Sequence, residues 1–314
     1  MIHVSNSLPD IAVLRGGNVN FKKSLAEGGE VLQSLIKIGY NPIDVLIDEE
    51  GNWTASGMPT DAHTIFTRSH TVVDTTRMKK EKYQELAKNM GISLIFSHDD
   101  DMTIDREGMY RILRQKGFKV PETIVVRSSF PIKPEIFRKI WSTYHTPLMV
   151  RPLESHTGEP SKIVKLFQDL EKTVRDYHEK GIDVHVLTYK KSPTTSIALI
   201  PNFRGEKIYT PVWVETFGSY DAPPNENSPM RAHMQAPDFR KKQVWDFATN
   251  VYQELGLNVP VCIDMVPYKE GYIVVNIDTH PSLRNNGRFM QSLLTTGVDA
   301  GQYIHSRVKE EYGI

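Results

Sequence analysis

The sequence has little that would staple it covalently or carry it into a membrane. Among 314 residues there is one cysteine, Cys262, so no intrachain disulfide can form, which fits a reducing compartment. No apolar run approaches the roughly 20 residues that a membrane-spanning helix needs. Residues Met1 to Asp10 lack a basic segment ahead of an apolar stretch, so no secretory signal is predicted and the cytoplasm is the expected location. Excess charge is missing too. The 38 Lys+Arg balance 38 Asp+Glu, which removes any bulk electrostatic case for nucleic acid or an anionic membrane as a partner. There is no internal repeat and no low-complexity tract. What is present is an ordinary globular composition, 39% hydrophobic and 24% charged, in a chain long enough for two or three small domains.

Hydrophobic periodicity gives the order of elements. Ile11-Ala-Val-Leu14 running into Gly16-Gly17 reads as a buried strand and tight loop. Leu25, Val31, Leu32, Leu35, Ile36 and Ile38 form a helical stripe that stops at Gly39, and Pro42 to Ile47 is a second strand. Strand, loop, helix, strand is a βαβ unit and predicts a parallel sheet. His63 to Phe66 and Ile92 to Phe96 are read as further strands, with a helix over Lys79 to Met90. From Asp99 the pattern becomes helix (Arg106 to Lys116), strand (Lys119 to Val126), helix (Lys133 to Tyr144), strand (Pro147 to Arg151), a small polar loop at Ser155-His-Thr-Gly158, and helix (Ile163 to Lys180). Strands at Val184 to Tyr189, Thr195 to Pro201 and Lys207 to Val214 follow, then a Pro/Asn/Gly-rich stretch from Phe217 to Pro237 that is too long for a turn. A helix over Lys241 to Leu255, a strand pair at Val261 to Pro267 and Tyr272 to Ile277, and a helix over Gln291 to Glu310 broken near Gly297 complete the chain. The divisions fall at 1–98, 99–182 and 183–314.

The chemistry concentrates in the last strand pair. Asp264 lies in one strand, while Asn276 and Asp278 are two apart in the next and so share a face. If the strands pair, three oxygen ligands converge, the donor type that a hard cation such as Mg²⁺ takes. A hairpin with a polar outer face accounts for the same spacing. Gly16-Gly17-Asn18 between strand and helix offers backbone N–H groups for an anion, although a plain βα turn accounts for it equally well; Ser155 to Gly158 after Arg151 suits a loop that covers a phosphate, although taken alone a surface loop is the better account. His98-Asp-Asp-Asp101 reads as a solvated acidic loop at a junction. Cys262, inside an apolar strand with no basic neighbour, reads as a buried structural thiol rather than a nucleophile.

Taken in order, Ala12 to Gly17, Ile104-Asp-Arg106, Phe118 to Pro121, Met149-Val-Arg-Pro152, Ile263-Asp264 and Asn276 to Pro281 resemble D-alanine–D-alanine ligases over nearly the whole chain. The resemblance implies an α/β fold: an N-terminal Rossmann-like, pre-ATP-grasp domain, then a two-subdomain ATP-grasp fold with ATP and Mg²⁺ between the subdomains. It implies small-molecule carboxylate and amine substrates, an acyl-phosphate intermediate and a homodimer formed through the N-terminal region. It assigns Arg106, Arg151, Ser155, Thr157, Gly158 and Tyr189 to the nucleotide, Asp264, Asn276 and Asp278 to the metal, and Gly17, His70 and Tyr220 to substrate. The sequence departs from the family's pattern at chemically important places. Arg106 and Arg151 stand where the family has lysines. Thr194 falls near the ribose-binding Glu, and Asn20-Phe-Lys-Lys23 replaces the loop that contacts the first D-alanine. Cys262 takes the place of the Arg that steadies the acyl phosphate, leaving Arg284 or Arg288 to supply that charge. The triad exchanges its acid and amide positions but keeps two carboxylates. The expectation is a ligase forming a C–N bond on altered substrates. A non-catalytic or nucleotide-binding relative with a degenerate active site is the alternative.

Overall fold

The first βαβ unit is present. In the computed structural model, which describes residues 8–18, 20–76, 81–95, 106–144, 146–153, 159–218, 228–269 and 271–312, β1 (Ile11–Gly16) leads through α1 (Phe21–Lys37) to the parallel strand β2 (Ile43–Ile47). Then come β3 (Trp53–Ala55), β4 (Met58–Thr60), α2 (Ala62–Phe66), β5 (Thr71–Asp74), α3 (Glu81–Asn89) and β6 (Ser93–Ile95). The six strands form one sheet in the order β4-β3-β2-β1-β5-β6, parallel from β2 to β6. β1 is the central strand of that parallel part, and Ile11 to Leu14 are buried on both faces. One expectation changes here. His63 to Phe66 is helical, not a strand: Asp61 caps it, accepting the Thr64 N–H at 2.8 Å. The strand lies just beyond it as β5.

The buried face of α1 keeps Val31 and Leu35 of the apolar stripe and widens to small and polar residues. It is made by Ser24, Glu27, Gly28, Val31 and Leu35, while Ile36 is exposed. Close approach explains the small residues. A Cβ on Gly28 would stand 2.5 Å from Arg15 Cβ, so only glycine lets the helix lie this near β1.

The second group contains α4 (Arg106–Gln115), β7 (Thr123–Val126), α5 (Pro134–Thr143), β8 (Leu148–Pro152), β9 (Lys162–Val164), α6 (Phe167–His178) and β10 (Val184–Thr188). The antiparallel sheet β7-β10-β8-β9 packs on α5 and α6 around Phe137, Leu170, Val174 and Val186. Ile163 and Val164 belong to β9 rather than to the following helix. β10, which the sequence grouped with the strands after residue 183, completes this second sheet.

The third group is β11 (Thr194–Phe203), β12 (Glu206–Tyr209), β13 (Val214–Thr216), β14 (Met230–Ala232), α7 (Asp238–Glu254), β15 (Val261–Tyr268), β16 (Gly271–Asp278), α8 (Arg288–Leu294) and α9 (Ala300–Tyr312). Its sheet runs β14-β13-β11-β15-β16 with β12 on β11. The Pro/Asn/Gly-rich stretch therefore contains a strand, β14. The expected C-terminal helix is broken at Gly297, as its position suggested, into α8 and α9. One face of this sheet packs with α4 and α7 through Met109, Tyr110, Ile197, Trp213 and Val251. The other meets α8, α9 and the first sheet's helix α1 in a shared core of Val31, Leu35, Ile200, Phe289, Tyr303 and Ile304. Among the described residues no helix is long and apolar enough to cross a membrane.

Candidate active site

β15 and β16 pair antiparallel, and their register sets Asp264 opposite Asn276 and Cys262 opposite Asp278. A bulge follows at Asp264/Met265, so that Met265 faces Val274 and Val275 is left out of the ladder. The carbonyl of Val275 is thereby turned to other donors. Tyr110 Oη donates to it at 2.7 Å and Arg151 Nη1 at 3.3 Å. Arg151 Nη2 also donates to Tyr110 Oη, and Tyr110 stacks on His185 with ring centres 6.0 Å apart. The second and third sheets thus meet around one tyrosine and one buried arginine.

Arg106 opens α4, where the positive end of the helix dipole opposes a cation. Carbonyls hold it there. Its Nη1 donates to Pro152 O at 2.8 Å and to Leu153 O at 3.0 Å, and its Nη2 donates to Asn276 Oδ1 at 3.3 Å. Burial, and then the positive charge of Arg151, push its pKa down to about 10, which leaves it protonated at neutral pH. Both Arg106 and Arg151 keep a buried Nε–H with no acceptor among the described residues. Two like charges with unspent donors make a surface that an anion would complete.

Asp264 is the most heavily bonded acid of the site, and it is buried. Its Oδ1 accepts from Ser196 Oγ at 2.6 Å; its Oδ2 accepts from Arg288 Nη1 at 2.8 Å and from Asn276 Nδ2 at 3.4 Å. The register of β11 on β15 sets Ser196 opposite Asp264. Arg288 is the first residue of α8, and Asp264 raises its pKa further. Asp278 Oδ1 accepts from the His280 N–H at 3.0 Å. Among the described residues no three His, Cys, Asp or Glu side chains group to hold a metal, so the candidate cation site is two carboxylates and an amide. Its donors are hard oxygens, and a guanidinium already sits on Asp264 as a stand-in cation. Cys262 beside them is buried, and burial followed by Asp264 pushes its thiol pKa well up, as a structural thiol requires.

The remaining residues singled out by sequence fall elsewhere. Gly16 donates its N–H to Ser24 Oγ at 2.8 Å and Gly17 donates its N–H to Ile47 O at 2.7 Å, so both loop amides are engaged within the first sheet's unit. His70 precedes β5 at the amino edge of the parallel strands, a strand's length from Gly17 at the carboxyl edge. It accepts the Asp10 N–H and packs against Tyr312. Arg284 turns to α1, with Nε 3.6 Å from Glu30 Oε1. Tyr189 is buried just past β10, its N–H donated to Pro147 O at 2.8 Å and its phenol pKa raised by burial. Ser155, Thr157, Gly158, Tyr220 and the His98 to Asp101 run lie outside the described residues. Sequence reasoning missed Tyr110 and Ser196. Tyr110 carried a usable signal, since it stands four residues after Arg106 and therefore on the same face of α4. Ser196 carried none, because its role depends on strand register.

No protein-family model matches the chain, and no curated protein does. Solved structures do. The D-alanine–D-alanine ligase from Coxiella burnetii superimposes with a TM-score of 0.74 at 14% identity, over 96% of this chain and 94% of that one. The enzyme from Bacillus anthracis complexed with ATP gives 0.69 at 16% identity, over 98% and 99%. The VanG D-Ala:D-Ser ligase from Enterococcus faecalis gives 0.70 at 14%, over 96% and 98%. The chain has the fold of the D-alanine–D-alanine ligases along essentially its whole length.

Proposed function

We propose that the protein is an ATP-dependent ligase that joins a carboxylate to an amine through an acyl phosphate, on substrates other than a pair of D-alanines. The observation that carries this is the pair of buried guanidiniums, Arg106 and Arg151, each with an Nε–H that has no acceptor among the described residues, at the junction of the second and third sheets. A polyphosphate supplies the missing acceptors and relieves the like-charge repulsion. Ser155, Thr157 and Gly158, which directly follow the Arg151 strand, would add contacts to it, and Tyr189 would border the base. Asp264, Asn276 and Asp278 would hold Mg²⁺, which when bound supplies positive charge to the phosphate oxygens. In the reaction a carboxylate oxygen attacks the γ-phosphorus and ADP leaves. The amine then attacks the acyl carbon and phosphate leaves. No protein nucleophile is needed, in keeping with the raised thiol pKa of Cys262. Arg288, whose Nη1 donates to Asp264 Oδ2, would offset the negative charge that Cys262 cannot.

Gly17, His70 and Arg284 carry no step of this proposal: the Gly17 N–H is donated to Ile47 O, His70 Nδ1 accepts the Asp10 N–H, and Arg284 Nε faces Glu30. Tyr220 remains proposed as a substrate contact on its place in the chain. The replaced first loop, Asn20-Phe-Lys-Lys23, is the reason for proposing substrates other than two D-alanines. The Arg288–Asp264 pair favours one second reading, a nucleotide-binding relative in which the arginine replaces the catalytic cation permanently.

A thermal-shift titration with Mg-ATP tests the proposal. At about 100 times Kd the native state gains roughly 2.7 kcal/mol, which corresponds to an unfolding midpoint raised by about 5 °C. No shift at millimolar Mg-ATP would remove both readings. A shift with ATP that is indifferent to Mg²⁺ would favour the second.

A further inference from the structure

Helix α1 carries two carboxylates one turn apart, and both reach across to the loop that joins β16 to α8. Glu27 is the buried one, 2% exposed. Its Oε1 accepts the Leu283 N–H at 2.7 Å and its Oε2 accepts from Ser282 Oγ at 2.8 Å. Glu30 Oε2 accepts the Asn285 N–H at 2.7 Å, and Glu30 Oε1 faces Arg284. The two acids therefore grip residues 282 to 285. The loop closes on itself immediately afterwards, with the Gly287 N–H donated to Arg284 O at 2.8 Å. Added bulk would be tight in that turn: a Cβ on Gly287 would stand 3.0 Å from Arg284 O and 3.1 Å from Ser282 O. The next residue is Arg288, on Asp264.

We infer that Glu27 is a positioning residue for the cation site. By fixing Ser282 and Leu283 it sets where α8 begins, and so where the Arg288 guanidinium lies against Asp264. A carboxylate so deeply buried is costly unless its bonds are charge-assisted, and Glu27 has two such bonds at short range. It also lies in the first sheet's unit, whereas Ser282 and Leu283 belong to the third, so this side chain adds a polar link to the core that the two units share. The link from Arg288 to nucleotide rests on the proposed function. The link from Glu27 to Arg288 does not.

The test compares parent, Glu27→Ala, Glu27→Gln and Ser282→Ala. Amide exchange at Leu283 and Asn285, and the NMR signal of the Arg288 Nε–H, are followed without ligand; Mg-ATP affinity is measured by calorimetry. Glu27→Ala is expected to speed exchange at Leu283 by about tenfold or more, to shift the Arg288 signal and to weaken Mg-ATP by about tenfold. Glu27→Gln keeps an acceptor for Leu283 and is expected to fall between Glu27→Ala and parent, as is Ser282→Ala, which keeps the carboxylate and guards against a misfolded Glu27→Ala. An unmoved Arg288 signal, or faster exchange at Leu283 with Mg-ATP affinity equal to a binding parent, would leave Glu27 a packing contact and overturn the inference. A parent that binds no nucleotide would sink the proposed function, and the Arg288 signal would still decide the positioning role.

Discussion

At the scale of single residues, the two arginines that stand in for lysines are better explained by what they hold than by the charge they keep. A lysine ammonium at position 106 could not serve Pro152 O, Leu153 O and Asn276 Oδ1 together, because those acceptors match the spread of a guanidinium fork. Arg106 is thus a bolt between sheets and, in the proposed function, a hydrogen-bond donor to phosphate, and substitution separates the two roles. Arg106→Lys keeps the charge, so Mg-ATP affinity is expected to stay within about threefold of the parent, while the lost carbonyl bonds lower stability by about 1–2 kcal/mol. Arg106→Met removes the charge and is expected to weaken Mg-ATP by at least about tenfold, while relief of the repulsion with Arg151 limits its loss of stability. Calorimetric titration and urea unfolding on both variants give the two numbers. Parent-like binding by Arg106→Met would take this residue out of the nucleotide site.

At the scale of elements, the β15–β16 hairpin decides whether the site is a metal site. Asn276 donates to Asp264 and accepts from Arg106, so an amide suits that position: it satisfies an acid on one side and a cation on the other. Asp278→Asn leaves Asp264 as the only carboxylate of the three and is expected to weaken Mg²⁺-dependent nucleotide binding by about tenfold or more. Asn276→Glu combined with Asp278→Asn returns the family's order of ligands but sets the introduced carboxylate against Asp264. That double variant is expected to melt below the parent without Mg²⁺ and to recover on its addition, read as the midpoint against Mg²⁺ concentration. If Asp278→Asn binds Mg-ATP like the parent, the hairpin presents a polar face and nothing more. The hairpin was legible because period-2 spacing survives in sequence and its strands pair locally. The misread elements fail for identifiable reasons. His63-Thr-Ile-Phe66 has a strand's composition, but the Asp61 cap and the burial of Ile65 and Phe66 make it a helix. Ile163-Val164 continued a helical pattern, yet these residues pair with β8 as an edge strand. The bulge that frees Val275 O is a matter of register, which no local pattern records.

At the scale of the whole molecule, the least legible feature is that the first and third sheets share one core while the second keeps its own. Glu27 and Ser282 are separated by 255 positions, and although the stripe on α1 marked Val31 and Leu35, nothing in it marked Glu27 or the third unit that this face meets. The packing of α1 on α9 is close enough to have admitted only glycine at one point. A Cβ on Gly301 would stand 2.5 Å from Ser34 O, a backbone atom that cannot rotate aside. Gly301→Ala must therefore separate the two helices, a strain of about 1–3 kcal/mol on general experience of overpacked contacts. Because Val31, Leu35, Tyr303 and Ile304 lie in the same core, the strain falls on both units at once. The melting midpoint is expected to drop by several degrees, and amide exchange is expected to quicken together in α1, α9 and β11. The second sheet has its separate core around Phe137, Leu170 and Val186, so β8 and β10 should keep their protection. Native-state hydrogen exchange on parent and variant distinguishes the outcomes. Quickening confined to the end of α9 would mean that the shared core does not couple the units. Quickening that spreads equally into β8 and β10 would mean that the second sheet is no separate body, and that closure on a nucleotide cannot be its independent motion.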